Sequence, residues 1–159
     1  MGFDLYGRNK NSKVGEYFRN NVWWWRPLAE YVLDVCSDVM DSDESEHWGS
    51  NSGKEVSGET ATAIADRLDL LIKSGATKRF EQKYMEEIKA TPDVICTLCN
   101  GTGDRKDLEP PSWKKKCGGC NGCSGTGKVR PFSAQYPFSA DNVQSFSKFC
   151  RASDGFSIC

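Results

Sequence analysis

Four of the eight cysteines in this 159-residue chain fall in a duplicated unit, Cys96-Thr-Leu-Cys99-Asn-Gly101-Thr-Gly103 and Cys120-Asn-Gly-Cys123-Ser-Gly125-Thr-Gly127. Each half reads C-x-x-C-x-G-x-G. The two-residue spacer lets both sulfurs of one turn face a single ion, and two such turns supply the four thiolates of a closed tetrahedral zinc site. The glycines that follow permit the tight backbone path on which amides approach sulfur. The expectation is one Zn2+ held by Cys96, Cys99, Cys120 and Cys123. Such a site holds structure and leaves no open coordination position for chemistry. Cys117 adds a competing pair, because Cys117-Gly-Gly-Cys120 is also C-x-x-C. The Ser-Gly-Thr-Gly after Cys123 matches the Asn-Gly-Thr-Gly after Cys99 and selects Cys120 and Cys123, which leaves Cys117 as a free thiol or a replacement ligand.

Other groups invite chemistry less strongly. Gly122 to Lys128 imitates the start of a phosphate-binding loop, but Val129 stands where magnesium needs Ser or Thr, and no apolar strand precedes it. His47 is the only histidine and lies in an acidic stretch, so no catalytic residue is assigned and no enzyme is expected. Two groups are candidates for holding a partner. In the run Trp23-Trp24-Trp25, three consecutive side chains cannot all point one way, so Trp23 and Trp24 offer a partly exposed indole surface, against the ordinary alternative of a half-buried core. Trp113 with Lys114, Lys115 and Lys116 could stack on a base and contact phosphates, against the ordinary alternative of a solvated lysine face. The acidic run from Asp38 to Glu46 reads as a solvated loop or as a mimic of a nucleic-acid backbone. Cys36, Cys150 and Cys159 lack paired spacing, and the first two lie beside apolar helix faces, where small buried thiols are common.

The elements that must carry these residues are legible in the periodicity. Phe3 to Tyr6 alternates as a short strand, and Gly7-Arg-Asn-Lys-Asn is a turn cluster. Pro27 suits the first position of a helix whose Leu28, Tyr31, Val32, Val35 and Val39 form one apolar face. Asp41 to Gly58 is acidic, Ser/Gly-rich and aperiodic, which predicts a mobile surface loop. Ala61, Ile64, Ala65, Leu68, Leu71 and Ile72 mark a second helix ended by Gly75. Phe80, Tyr84 and Ile88 mark a third, stopped by Pro92, and the very short link predicts an antiparallel pair. After the cysteine module, Phe132 to Phe138 reads as irregular. Ser139 then caps a helix from Asp141 to about Ser153, and Phe156-Ser-Ile158 reads as a terminal strand.

These elements define an α+β fold, mostly helical: a small helical domain with an inserted four-cysteine zinc-knuckle module. A single domain is expected over 1–159, with 94–130 as a submodule within it. The formal charge of −1 and pI of 5.9 give no global electrostatic case for nucleic acid or membrane. Locally, Gly101 to Arg130 carries seven cations against three anions, a balance of plus four that four thiolates and one zinc reduce by two. No basic stretch followed by an apolar run opens the chain, and nowhere do about 18 apolar residues run together, so a soluble intracellular protein is expected.

The Cys96–Gly127 repeat resembles the cysteine-rich zinc domain of DnaJ-type co-chaperones, which carries C-x-x-C-x-G-x-G four times and pairs the repeats into two zinc centres. Two repeats here imply one centre, and no J-domain His-Pro-Asp signature accompanies them. Two-repeat versions occur in small proteins that bind other proteins. The segments Met1-Gly-Phe-Asp-Leu-Tyr-Gly7, Tyr17 to Leu28 and Asp154-Gly-Phe-Ser-Ile-Cys159 resemble small proteins of tailed bacteriophages. That resemblance implies a viral protein in the cytoplasm of a bacterial host. Together these features give the expected function: a non-enzymatic zinc-binding phage accessory protein that binds a host or viral macromolecule, most specifically a protein, with inhibition of a bacterial defence or regulatory system as its specific form. A nucleic-acid-binding zinc module, or a thiol-active chaperone-like protein, is the alternative. The oligomeric state is open.

Overall fold

The computed structural model describes residues 2–105 and 119–159. Trp113, Lys114, Lys115, Lys116 and Cys117 lie outside the described residues. The fold is α+β and mostly helical. Among the described residues the order is β1 (Gly2–Gly7), α1 (Lys13–Glu16), β2 (Tyr17–Asn21), α2 (Val22–Val35), α3 (Ser42–Ser45), β3 (Lys54–Val56), α4 (Gly58–Lys73) and α5 (Ala76–Ala90). Then follow β4 (Val94–Ile95), β5 (Lys128–Val129), a 3-10 turn (Phe132–Gln135), α6 (Ala140–Ser153) and β6 (Phe156–Ile158). The chain divides into two compact units, residues 1–86 with 136–159, and residues 87–135.

The first unit is built on a four-stranded antiparallel sheet in the order β2-β1-β6-β3. The terminal strand is therefore central: Ile158 stands between Leu5 and Lys54, and Phe156 between Gly7 and Val56. The two-residue period sends Phe3, Leu5, Val56, Phe156 and Ile158 to the buried face and leaves Tyr6 and Tyr17 exposed. Against the buried face pack α2, α4 and α6. Trp25, Trp48, Phe146, Phe149, Leu28, Ile64 and Leu68 are all at most 1% exposed there. Alanines Ala61 and Ala65 on α4 admit α6 closely, and across this contact Ser147 Oγ donates to the Ala65 carbonyl at 3.3 Å and to Asp69 at 2.5 Å.

Three expectations are corrected. The first helix begins five residues before Pro27, because the Asn21 side chain caps it by accepting the Trp23 and Trp24 amides at 3.1 and 3.2 Å. Pro27 sits inside the helix, buried, and supplies no N–H to its ladder.

The predicted mobile loop at 41–58 is an anchored segment. Trp48 is 1% exposed and stacks on Trp25 with centroids 5.9 Å apart; Phe146 meets both rings edge-on. Both indole N–H groups are satisfied, Trp25 by the Trp48 carbonyl and Trp48 by the Glu44 carbonyl, each at 2.7 Å. The Glu44 carboxylate accepts from the Ser57 amide at 2.8 Å and from Thr60 Oγ1 at 2.6 Å, and β3 joins the sheet.

The third correction concerns α4 and α5, which do not form the expected antiparallel pair. The long face of α4 is taken by α6. Within the first unit α5 instead contributes Phe80 and Tyr84 to an aromatic cluster with Tyr31 and Phe138, centroids 4.8 to 5.9 Å apart. The stretch read as irregular holds the 3-10 turn, and Tyr136 and Phe138 are buried. The last helix and the terminal strand form where expected, but Ser139 stands at the N-cap position without its side chain making a cap hydrogen bond.

Candidate metal centre

The second unit brings the two halves of the repeat together. The sulfurs of Cys96, Cys99, Cys120 and Cys123 all lie within 4.8 Å of one another, and all four residues are buried. Cys96 and Cys120 Sγ are 3.8 Å apart, and Cys99 and Cys123 Sγ 3.7 Å. Four sulfurs at the usual zinc–thiolate bond length stand roughly 3.8 Å apart along a tetrahedron edge. The donor set therefore fits a single zinc-sized ion with four soft ligands.

The local backbone explains how so few apolar residues hold this geometry, since each half builds the same turn. The Gly101 amide donates to the Cys96 carbonyl at 3.2 Å, as the Gly125 amide does to Cys120 at 3.1 Å. Asn100 and Ser124 take left-handed φ of 51° and 52°, and each is followed by a glycine at 82°. The Gly103 amide then points at Cys99 Sγ (3.3 Å) and the Gly127 amide at Cys123 Sγ (3.2 Å), dipoles suited to a thiolate. The halves are also stitched to one another: the Cys96 amide donates to the Gly127 carbonyl at 2.9 Å and the Cys120 amide to the Gly103 carbonyl at 2.6 Å. At those two glycines the backbones nearly touch. A Cβ on Gly103 would sit 2.3 Å from the Gly125 carbonyl oxygen, and one on Gly127 would sit 2.2 Å from that of Gly101. Glycine is required there by space as well as by φ.

Thr102 and Thr126 carry a role the spacing argument missed. Each hydroxyl donates to the carbonyl of the second cysteine of its half at 2.7 Å, and also bridges to the carbonyl two residues on, Asp104 at 2.9 Å and Lys128 at 2.8 Å. Threonine occupies the same place in both halves, which is the signal that marks it.

Burial acts on the thiols unequally. It lifts Cys120 to about 11. At Cys123 the same burial is outweighed by the Gly127 amide and the neighbouring thiols, which lower it to about 7. Outside the cluster, burial pushes Cys36 up to about 12 and Cys150 upward as well, so both are neutral core thiols. Cys159 is exposed.

The remaining candidates are dispersed. Trp23 and Trp24 are half-buried on α2 in the first unit, with Trp23 against Tyr136 at 5.1 Å between centroids; Trp25 belongs wholly to the core. His47 is exposed, with φ of 64° and Nε2 3.7 Å from Glu46. The acidic run is tied into the fold: Asp38 pairs with Arg67 at 2.7 Å, Asp43 with Lys54 at 2.8 Å, and Glu44 with Ser57 and Thr60. Residues 122–127 of the would-be phosphate loop form the second metal knuckle. Among the described residues no helix is long and apolar enough to cross a membrane. Comparison with protein families, with curated proteins and with solved structures finds no match to this chain.

Proposed function

We propose that this chain is a non-enzymatic, zinc-binding accessory protein of a bacteriophage, working in the bacterial cytoplasm by binding a host or viral protein. Inhibition of a defence or regulatory system is its specific form. The observation that carries the reading is the closed set of four buried sulfurs. A tetrahedral four-thiolate site has every position occupied by protein, so its role is to shape a surface and not to activate water or substrate.

The surface so shaped carries exposed apolar side chains. Val94, Ile95 and Leu98 are 46, 65 and 52% exposed beside the first cysteine pair, a group of the kind that marks contact with another macromolecule. Steric occlusion by this surface is favoured over charge mimicry by the acidic run, because Asp38, Asp43 and Glu44 already have partners within the fold. The nucleic-acid reading rests on Trp113 and Lys114 to Lys116 in the sequence. Salt-sensitive retention on single-stranded DNA or RNA, lost when the three lysines are replaced, would favour it.

The test is affinity capture from a bacterial lysate, with zinc-loaded protein as bait beside a Cys99→Ser, Cys123→Ser variant, after elemental analysis has established one zinc per chain. A protein retained only by the loaded form supports the reading. Absence of any transition metal in purified material, or turnover that depends on the four cysteines, overturns it.

A further inference from the structure

Arg130 follows directly on β5, and its guanidinium reaches back to the end of α5. There it donates to the carbonyls of Ile88 and Thr91 and lies 3.7 Å from the Asp93 carboxylate. The last four carbonyls of a helix lack the N–H donor that an i+4 residue would supply, the Ile88 carbonyl here taking only the Thr91 amide from the backbone, at 3.2 Å, and a cation beside them also meets the negative end of the helix dipole. Such caps ordinarily come from residues just past the helix. This one comes from 39 and 42 positions away, with the whole cysteine module in between.

The cap therefore forms only when the entrance and exit of the module run side by side. Val94 pairs with Val129 and Ile95 with Lys128, and the Cys96 amide continues the ladder to the Gly127 carbonyl. Two strands of two residues have little stability of their own in water. Their register is set by the sulfur cluster: the Gly127 amide is held on Cys123 Sγ at 3.2 Å, and Lys128 is held through Thr126 Oγ1 at 2.8 Å, two residues before Arg130. In the absence of an ion, the few backbone bonds between the two halves are too weak to hold four thiols together, because metal binding and folding of such a knuckle are one process.

The geometry points to a metal-gated helix cap, in which filling the four-sulfur site orders the last turn of α5 and the Thr91–Asp93 link through Arg130, and emptying it releases them. This inference rests on the zinc reading above. The coupling is reciprocal: the factor by which zinc strengthens the cap is the factor by which the cap strengthens zinc binding.

The test uses the full chain under reducing conditions, with two readouts. One is zinc affinity by competition with a chromophoric chelator; the other is amide hydrogen exchange over Lys89 to Asp93. Zinc should slow exchange there about tenfold, and Arg130→Ala should abolish that protection with zinc still bound while weakening zinc by the same factor, about tenfold. Arg130→Lys, a point charge without the planar fork, should restore only part of both effects. Zinc bound at one per chain with exchange in that turn unchanged overturns the cap and leaves the zinc centre standing, as does an Arg130→Ala variant that alters neither readout. Failure to bind zinc at all overturns both.

Discussion

The two compact units reach defined structure by different means. In residues 1–86 with 136–159, order follows from burial: Trp25, Trp48, Phe146, Phe149 and Phe156 form a connected aromatic core, and each indole N–H finds a carbonyl. In residues 87–135 the only buried hydrophobic cluster among the described residues is the four cysteines with Val129 beside them. There, order follows from sulfur geometry, from glycines that let two backbones approach, and from threonine hydroxyls that close each turn. Removing apolar surface should therefore damage the first unit, whereas removing one ion should damage the second.

The largest expected effect is metal removal, since structural zinc in such knuckles binds with about 10–16 kcal/mol of apparent free energy at neutral pH. Chelation should make the thiols of Cys96, Cys99, Cys120 and Cys123 reactive to a disulfide reagent while the near-ultraviolet dichroism of Trp25 and Trp48 persists. Coincident loss of both signals would show that the contrast between the units is false. Next, Trp48→Ala should cost about 3–5 kcal/mol in urea unfolding, the range for emptying a buried aromatic site. A cost below 1 kcal/mol would return residues 41–58 to the status of a loose loop.

The glycines sharpen the comparison further. Gly127→Ala and Gly103→Ala place a methyl 2.2 and 2.3 Å from a carbonyl oxygen, whereas Gly125→Ala meets nothing nearer than 3.9 Å. The first two should weaken zinc at least tenfold, as loss of outer-shell support does. Gly125→Ala should cost about 1 kcal/mol, from its left-handed φ alone. Equal effects at all three would remove close approach as the reason for glycine.

The smallest effect is electrostatic. Burial alone would raise the Glu44 carboxyl, but hydrogen bonds from Thr60 and Ser57 outweigh it and hold the group below its ordinary range. The unfolded chain then takes the proton first, so the stabilisation is complete above about pH 4.3 and is lost as pH falls through the lower folded value. Glu44→Gln should destabilise by about 1 kcal/mol at pH 7 and progressively less toward pH 2 in urea titrations. A pH-independent difference would assign the loss to shape and not to charge.

The metal pattern was legible because it is local: two residues between cysteines and a glycine at each following turn determine a knuckle with no reference to the rest of the chain. The helices over Leu28–Val35, Ala61–Ile72 and Val143–Cys150 were legible for the same reason, since a 3.6-residue stripe is written into consecutive positions. The segment at 41–58 was misread because Trp48 is a single anchor, and one residue makes no period. Pro27 misplaced the start of α2 because Asn21, a capping residue six positions earlier, is the stronger local signal.

By itself, then, the sequence determined the ingredients of each unit: four thiols in matched turns, apolar stripes on the helices, alternation in the first and last strands. Tertiary structure decided what no neighbouring residue could, namely that the terminal strand lies between β1 and β3, that α4 packs on α6, that Trp48 stacks on Trp25, and that Arg130 caps α5 from 42 positions away. The physical reason is range. Turn geometry and helical periodicity act over a few residues, but a buried ring or a helix-end carbonyl is satisfied by whichever partner the folded chain brings near.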